Sequence, residues 1–154
     1  MSALPVLFWI ALCALQDIRQ RRISNWLTFG GSAVALLYLL LRGETLLGAT
    51  PSQALAAAGL ALLLTLPGWW LGKLGAADVK LLLGIALCSN SLFTLYCLVG
   101  AGLAYLFWAT LSRPLWPVLP TSFRQTLAQV APERVHRYPY GPFLFAGSLM
   151  AFFV

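Results

Sequence analysis

The chain has 154 residues, 60% of them hydrophobic and 9% charged, with a mean hydropathy of +0.84. That composition excludes a water-soluble globular domain and marks an integral membrane protein. The net charge of +6 does not point to nucleic acid, because the basic residues are divided among three juxtamembrane stretches instead of forming one patch interleaved with aromatics.

The apolar runs are continuous and Leu/Ala-rich and lack the period-two alternation of a membrane barrel, so helices are the spanning element. A hydrocarbon core of roughly 30 Å needs about 20 helical residues, or somewhat fewer with thinning. The first crossing runs from about Leu4 to Gln16. No basic residue precedes it, and Arg19, Arg21 and Arg22 follow it. It therefore reads as a mature helix inserted with its amino terminus outside, not as a cleaved signal. The second and third crossings run from Trp26 to Leu41 and from Ala54 to Leu71, each bounded by charge, Gly or Pro. As one helix, Val79 to Leu111 would be about 50 Å long. The stretch is therefore divided near Ser89-Asn90-Ser91 into a short fourth helix and a fifth of ordinary length. Pro114, Pro117 and Pro120 then stop helix five. Thr121 and Ser122 cap a short amphipathic helix whose Phe123, Leu127 and Val130 share one side; lying on the cytoplasmic membrane surface, it is either an anchor or an element that gates or docks the substrate. Tyr140 to Val154 forms the sixth crossing, and residues 1–154 make one all-α integral-membrane domain, a polytopic helix bundle.

The charges support this layout. Arg19, Arg21, Arg22, Lys73, Lys80, Arg113, Arg124, Arg134 and Arg137 fall on one face, and only Arg42, beside Glu44, falls on the other. Cytoplasmic loops are enriched in Lys and Arg, so the amino terminus lies outside and the three basic loops are cytoplasmic. Without the break at Asn90 the last four arginines would change sides.

In this topology helix one descends and ends at Asp17, while helix four begins at Asp78 and climbs back, which brings two of the four acidic residues to similar depth. An acid at the edge of the hydrocarbon is a functional-site hypothesis by default. Two carboxyls in contact cannot comfortably both ionise. They share a proton, one acting as base on a water and the other as acid, and such a dyad hydrolyses peptide bonds with no metal and no cofactor. The helix dipoles would leave the resting proton on Asp17. Taken singly, Asp17 reads equally well as a counter-charge for the following arginines, and Asp78 as an N-cap with Lys80 reaching toward the headgroups.

The surrounding letters favour the functional reading. The run D-I-R-Q-R-R-I-S-N-W-L-T, with Asp17, Arg19, Ile23 and Asn25, resembles the first aspartate motif of type IV prepilin peptidases. The run G-A-A-D-V-K-L-L, with Gly75, Asp78, Lys80 and Leu81, is similar to that family's G-x-G-D-x-K-L motif. The run Y-P-Y-G-P-F-L-F-A-G, from Tyr138 to Gly147, is similar to the opening of its last helix. The three occur in family order and at helix boundaries. The resemblance implies a multi-pass aspartyl protease of the bacterial inner membrane, with Asp17 and Asp78 as the catalytic pair. It would remove the basic leader of prepilins or pseudopilins on the cytoplasmic side, usually after a Gly. Longer members add a cytoplasmic segment with paired Cys-x-x-Cys motifs and N-methyltransferase activity. This chain has neither motif and resembles the short, peptidase-only class that serves tight-adherence (Flp-type) pili.

Two positions depart from the pattern: Ala77 stands where the family has Gly, and Ser24 where it usually has Pro. A catalytically weak homologue retained as a pilus-assembly factor is one alternative they leave open. A small transporter or channel subunit relaying protons or cations through paired Asp is another, and it calls for acids near mid-membrane and a polar path between them. Cys13, Cys88 and Cys97 lack zinc-ligand spacing and read as reduced packing residues, and His136 is a lone interfacial histidine. Gly68 to Gly72 (G-W-W-L-G) reads as part of an aromatic belt and not as a dimer face.

Overall fold

Seven α-helices and two short 3-10 turns make up the computed structural model, which describes residues 4–72, 74–131 and 139–153, with no strand among them. Lys73, Glu133, Arg134, His136, Arg137 and Tyr138, and the side chain of Phe123, lie outside the described set, as do the sequence readings that rest on them. The long helices are α1 (Leu4–Gln20), α2 (Asn25–Arg42), α3 (Pro51–Trp70), α4 (Ala76–Cys88), α5 (Ser91–Leu115) and α7 (Gly141–Phe152); α6 (Thr121–Thr126) is a six-residue piece.

The break in the long apolar stretch falls where length requires it. Asn90 is the N-cap of α5 and its Oδ1 accepts the Phe93 N–H at 2.9 Å, while the Ser89 hydroxyl donates to the Ile85 carbonyl at 2.7 Å. A capping box starts α3 three residues earlier than expected: Thr50 Oγ1 accepts from Gln53 N, Gln53 Oε1 accepts from Thr50 N, and Pro51 occupies the first helical turn. At the end of α5 the sequence reading needs correction. Pro114 does not stop the helix, which runs on to Leu115 and into a 3-10 turn at Trp116–Val118. The expected amphipathic helix is likewise shorter: α6 ends at Thr126, so Leu127 and Val130 lie beyond it. Val130 is buried, and its carbonyl accepts the Trp108 indole N–H at 2.8 Å.

The packing is that of helices in an apolar solvent. Large apolar side chains cover the outside, with Trp26 and Trp70 each 89% exposed, and the buried residues of α3 are Ala54, Ala57, Ala58, Ala61 and Thr65. Along α3, small residues inside and Leu and Trp outside invert the soluble pattern. They suit helices held together by close van der Waals contact where lipid is already as apolar as Leu. Among the described residues, two helical segments, Pro51–Trp70 and Ser91–Val118, are long and apolar enough to cross a membrane. By contrast α4 and α7, with 13 and 12 residues, rise only about 20 Å. Cys13, Cys88 and Cys97 are buried thiols.

Helix α4 is central and touches α1, α2, α3, α5 and α7. The closest crossing is between α5 and α7, where Gly100 and Gly147 face each other. A Cβ on Gly147 would collide with the Cys97 carbonyl oxygen and come within 2.6 Å of Ala101 N. This contact fixes α7 along α5 and so determines where the first turn of α7 arrives.

Candidate active site

Helix α1 continues four residues past its expected end, so Asp17 lies within the helix, on the buried face that also carries Ile10, Cys13 and Ala14. The helix stops because Arg21 adopts a left-handed conformation (φ 51°) while its N–H donates to the Asp17 carbonyl at 2.8 Å. The turn to α2 is closed by Gln16, whose Oε1 accepts the Ser24 N–H at 2.9 Å, and by Ser24 itself, whose Oγ accepts from Trp26 N at 3.3 Å. Ser24 therefore does locally what the family's Pro cannot, since Pro has no N–H to donate.

The structure also corrects the simple reading of Asp78. Its N-cap is Gly75, and Asp78 is the third helical residue, with Oδ2 accepting the Gly75 N–H at 3.2 Å. This is the reaching-back half of a capping box, which satisfies one of the otherwise unpaired donors at the start of a helix. Ala77 sits in the same helical turn, and among the described non-glycine residues only Arg21 has positive φ, so a Cβ costs no backbone strain here. Lys80 does not simply reach for the headgroups. Its Nζ donates to Asn25 Oδ1 at 3.1 Å and lies 4.6 Å from the centroid of the Phe29 ring, tying the second motif to the first across 55 residues.

Three segments meet at this end of the bundle. Asp17 is 6% exposed, Asp78 is half-buried, and the two carboxyls are within electrostatic reach of each other. From α7, the Gly141 N–H donates to Asp17 Oδ2 at 2.9 Å in a buried bond, and Tyr140 lies within electrostatic reach of Asp78. Sequence reading placed these two residues in the third motif but gave them no part in the site. With the amino ends of both α4 and α7 facing the acids, helix dipoles alone no longer separate Asp17 from Asp78 as the proton holder. Arg19 is not brought to the acids. It is exposed and lines an open groove of about 540 Å³ with Leu12, Leu15, Gln16, Trp26 and others. No cluster of three or more His, Cys, Asp or Glu side chains occurs among the described residues.

Two acids held near each other at the joined ends of three helices, each accepting a backbone N–H, form an arrangement able to hold and move one proton between them. The sequence matches the profile of the type IV leader peptidase family over residues 4–110. The chain belongs to that family. Membership carries a leader-peptidase-like function in general terms: a peptidase whose substrates are prepilins. No curated protein and no solved structure matches the chain. The family match spans both aspartate motifs and ends before α7, so the Gly141 bond to Asp17 comes from outside the matched segment.

Proposed function

We propose that the protein is an aspartic-type endopeptidase that removes the leader of Flp-type prepilins or pseudopilins at the cytoplasmic face of the bacterial inner membrane, with Asp17 and Asp78 as its catalytic pair. The observation that carries this reading is the convergence of the two motif aspartates within electrostatic reach at one end of the bundle. One carboxylate takes a proton from the attacking water while the other, protonated, donates to the scissile carbonyl oxygen. As the C–N bond of the resulting gem-diol breaks, the first carboxyl passes its proton to the leaving amine and one diol hydroxyl returns a proton to the second, so the pair is restored with one shared proton and no covalent intermediate forms. Gly75 positions Asp78 through its N–H, while Lys80 and Asn25 hold the starts of α4 and α2 together. Arg19, exposed beside the groove on α1, serves the membrane surface or the incoming chain and not the proton transfer.

A relay through the bilayer fits the geometry less well. Both acids sit close to helix ends, and the buried hydroxyls of Thr65 and Ser148 donate to the Ala61 and Leu144 carbonyls of their own helices instead of lining a path. The helical backbone at Ala77 likewise gives no reason to expect an inactive assembly factor. Co-expression of wild type, Asp17→Asn or Asp78→Asn with a small prepilin from the same genome, read by gel shift in membranes, tests the assignment. Loss of leader removal in both variants at unchanged expression supports it, and normal cleavage by either removes the dyad.

A further inference from the structure

We infer that Gly141 is a positioning residue for Asp17: its N–H fixes the carboxyl group, and its missing Cβ leaves room for that group. The inference rests on the protease reading, and it concerns a residue beyond the segment matched to the family. The bond from Gly141 N to Asp17 Oδ2, 2.9 Å and buried, joins residues 124 apart. A Cβ on Gly141 would meet three atoms of Asp17 at once, Oδ2 at 2.9 Å, Cβ at 3.1 Å and Cγ at 3.4 Å. Rotation about χ1 moves Oδ2 and Cγ but not the Asp17 Cβ, so a side chain at 141 cannot be accommodated by a change of rotamer alone. Either α1 or α7 must shift.

Helix α7 is not free to do so. Six residues further along, Gly147 is pressed against the backbone of α5 at Cys97 and Ala101, so the helix is clamped on one side while its first turn holds Asp17 on the other. The next residue, Pro142, has no N–H, which leaves Gly141 as the donor directed at the carboxyl group. Helix α7 thus holds Asp17 in place beside Asp78, and Tyr140, at the start of the same helix, lies within electrostatic reach of Asp78. The 3.1 Å contact with the Asp17 Cβ requires a shift of a few tenths of an ångström, and since a displacement of about 1 Å in a reacting group costs on the order of 100-fold in rate, this smaller one is expected to cost about tenfold.

The test uses the full chain in liposomes with a defined prepilin substrate. Gly141→Ala is expected to lower kcat by about tenfold or more, with KM within about twofold, because the substrate contacts remain and the carboxyl group moves. A thermal cycle provides a second measurement that does not depend on catalysis. The melting-temperature loss caused by Gly141→Ala shrinks by about half or more when Asp17 is first changed to Gly, since all three facing atoms are then gone. A kcat that survives Gly141→Ala while Asp17→Asn is inactive overturns the inference alone, as does a thermal loss equal in both backgrounds. Normal cleavage by Asp17→Asn would instead overturn the protease reading.

Discussion

The glycines of α5 and α7 make opposite predictions within a few residues of one another. A Cβ at position 147 meets the Cys97 carbonyl and Ala101 N, and a Cβ at position 100 meets Gly147 Cα at 2.8 Å; in both cases the obstructing atoms are backbone and cannot rotate away. Overpacking costs about 1–3 kcal/mol, and rigid neighbours put these sites at the upper end, about 3 kcal/mol. Replacing a helical Gly by Ala returns about 1 kcal/mol of propensity, so Gly147→Ala and Gly100→Ala should each destabilise by about 2 kcal/mol. At about 2–4 °C per kcal/mol for a chain of this size, the melting temperature falls by about 4–8 °C. Gly102, on the same helix, has nothing within 4 Å of its would-be Cβ, so Gly102→Ala keeps the propensity gain and melts about 2–4 °C higher. Tryptophan fluorescence of the purified protein in detergent, with leader removal measured on the same samples, reads both effects. If Gly147→Ala melts at or above the wild type, the close α5–α7 crossing is wrong and so is the clamp that carries the first turn of α7 to Asp17.

Three further outcomes follow from other contacts. Asn90→Ala removes the cap of α5 and should cost about 1 kcal/mol in detergent melts while leaving cleavage intact, because the cap lies at the end of α4 away from Asp78. Lys80→Met and Asn25→Ala should each weaken the junction of the two motifs, and a double-mutant cycle on stability should show a coupling of about 1 kcal/mol; strict additivity would mean that the 3.1 Å bond contributes nothing. The kcat/KM of leader removal should be bell-shaped in pH, with limbs that belong to the carboxyl pair jointly, and a flat profile across the carboxylate and neutral ranges would contradict proton sharing.

The sequence made some parts of this site readable and hid others, for physical reasons. The break at Asn90 followed from length, because a single helix there would overrun the bilayer, and Asn is a good cap. The pairing of Asp17 with Asp78 followed from counting helices and charges. The end of α1 did not: Asp17, Ile18, Arg19 and Gln20 look like a loop to a hydropathy argument, yet a polar run extends a helix as readily as it ends one, so the acid lies inside α1. Pro114 also misled, because the helix carries it one residue before its end. The bond from Gly141 to Asp17 was the least accessible part. Its donor is a backbone N–H, its partner is 124 residues away, and the side chain that makes room for it is absent.

The most direct measurement of the central claim compares Asp17→Asn, Asp78→Asn and the double variant, purified into liposomes with a defined prepilin, with cleavage followed by mass spectrometry of the new amino terminus. If the two acids act as one pair, each single variant loses nearly all activity and the double variant is no worse than either, because members of a catalytic unit are strongly non-additive. Multiplicative losses, or a single variant that retains most of its activity, would contradict the dyad.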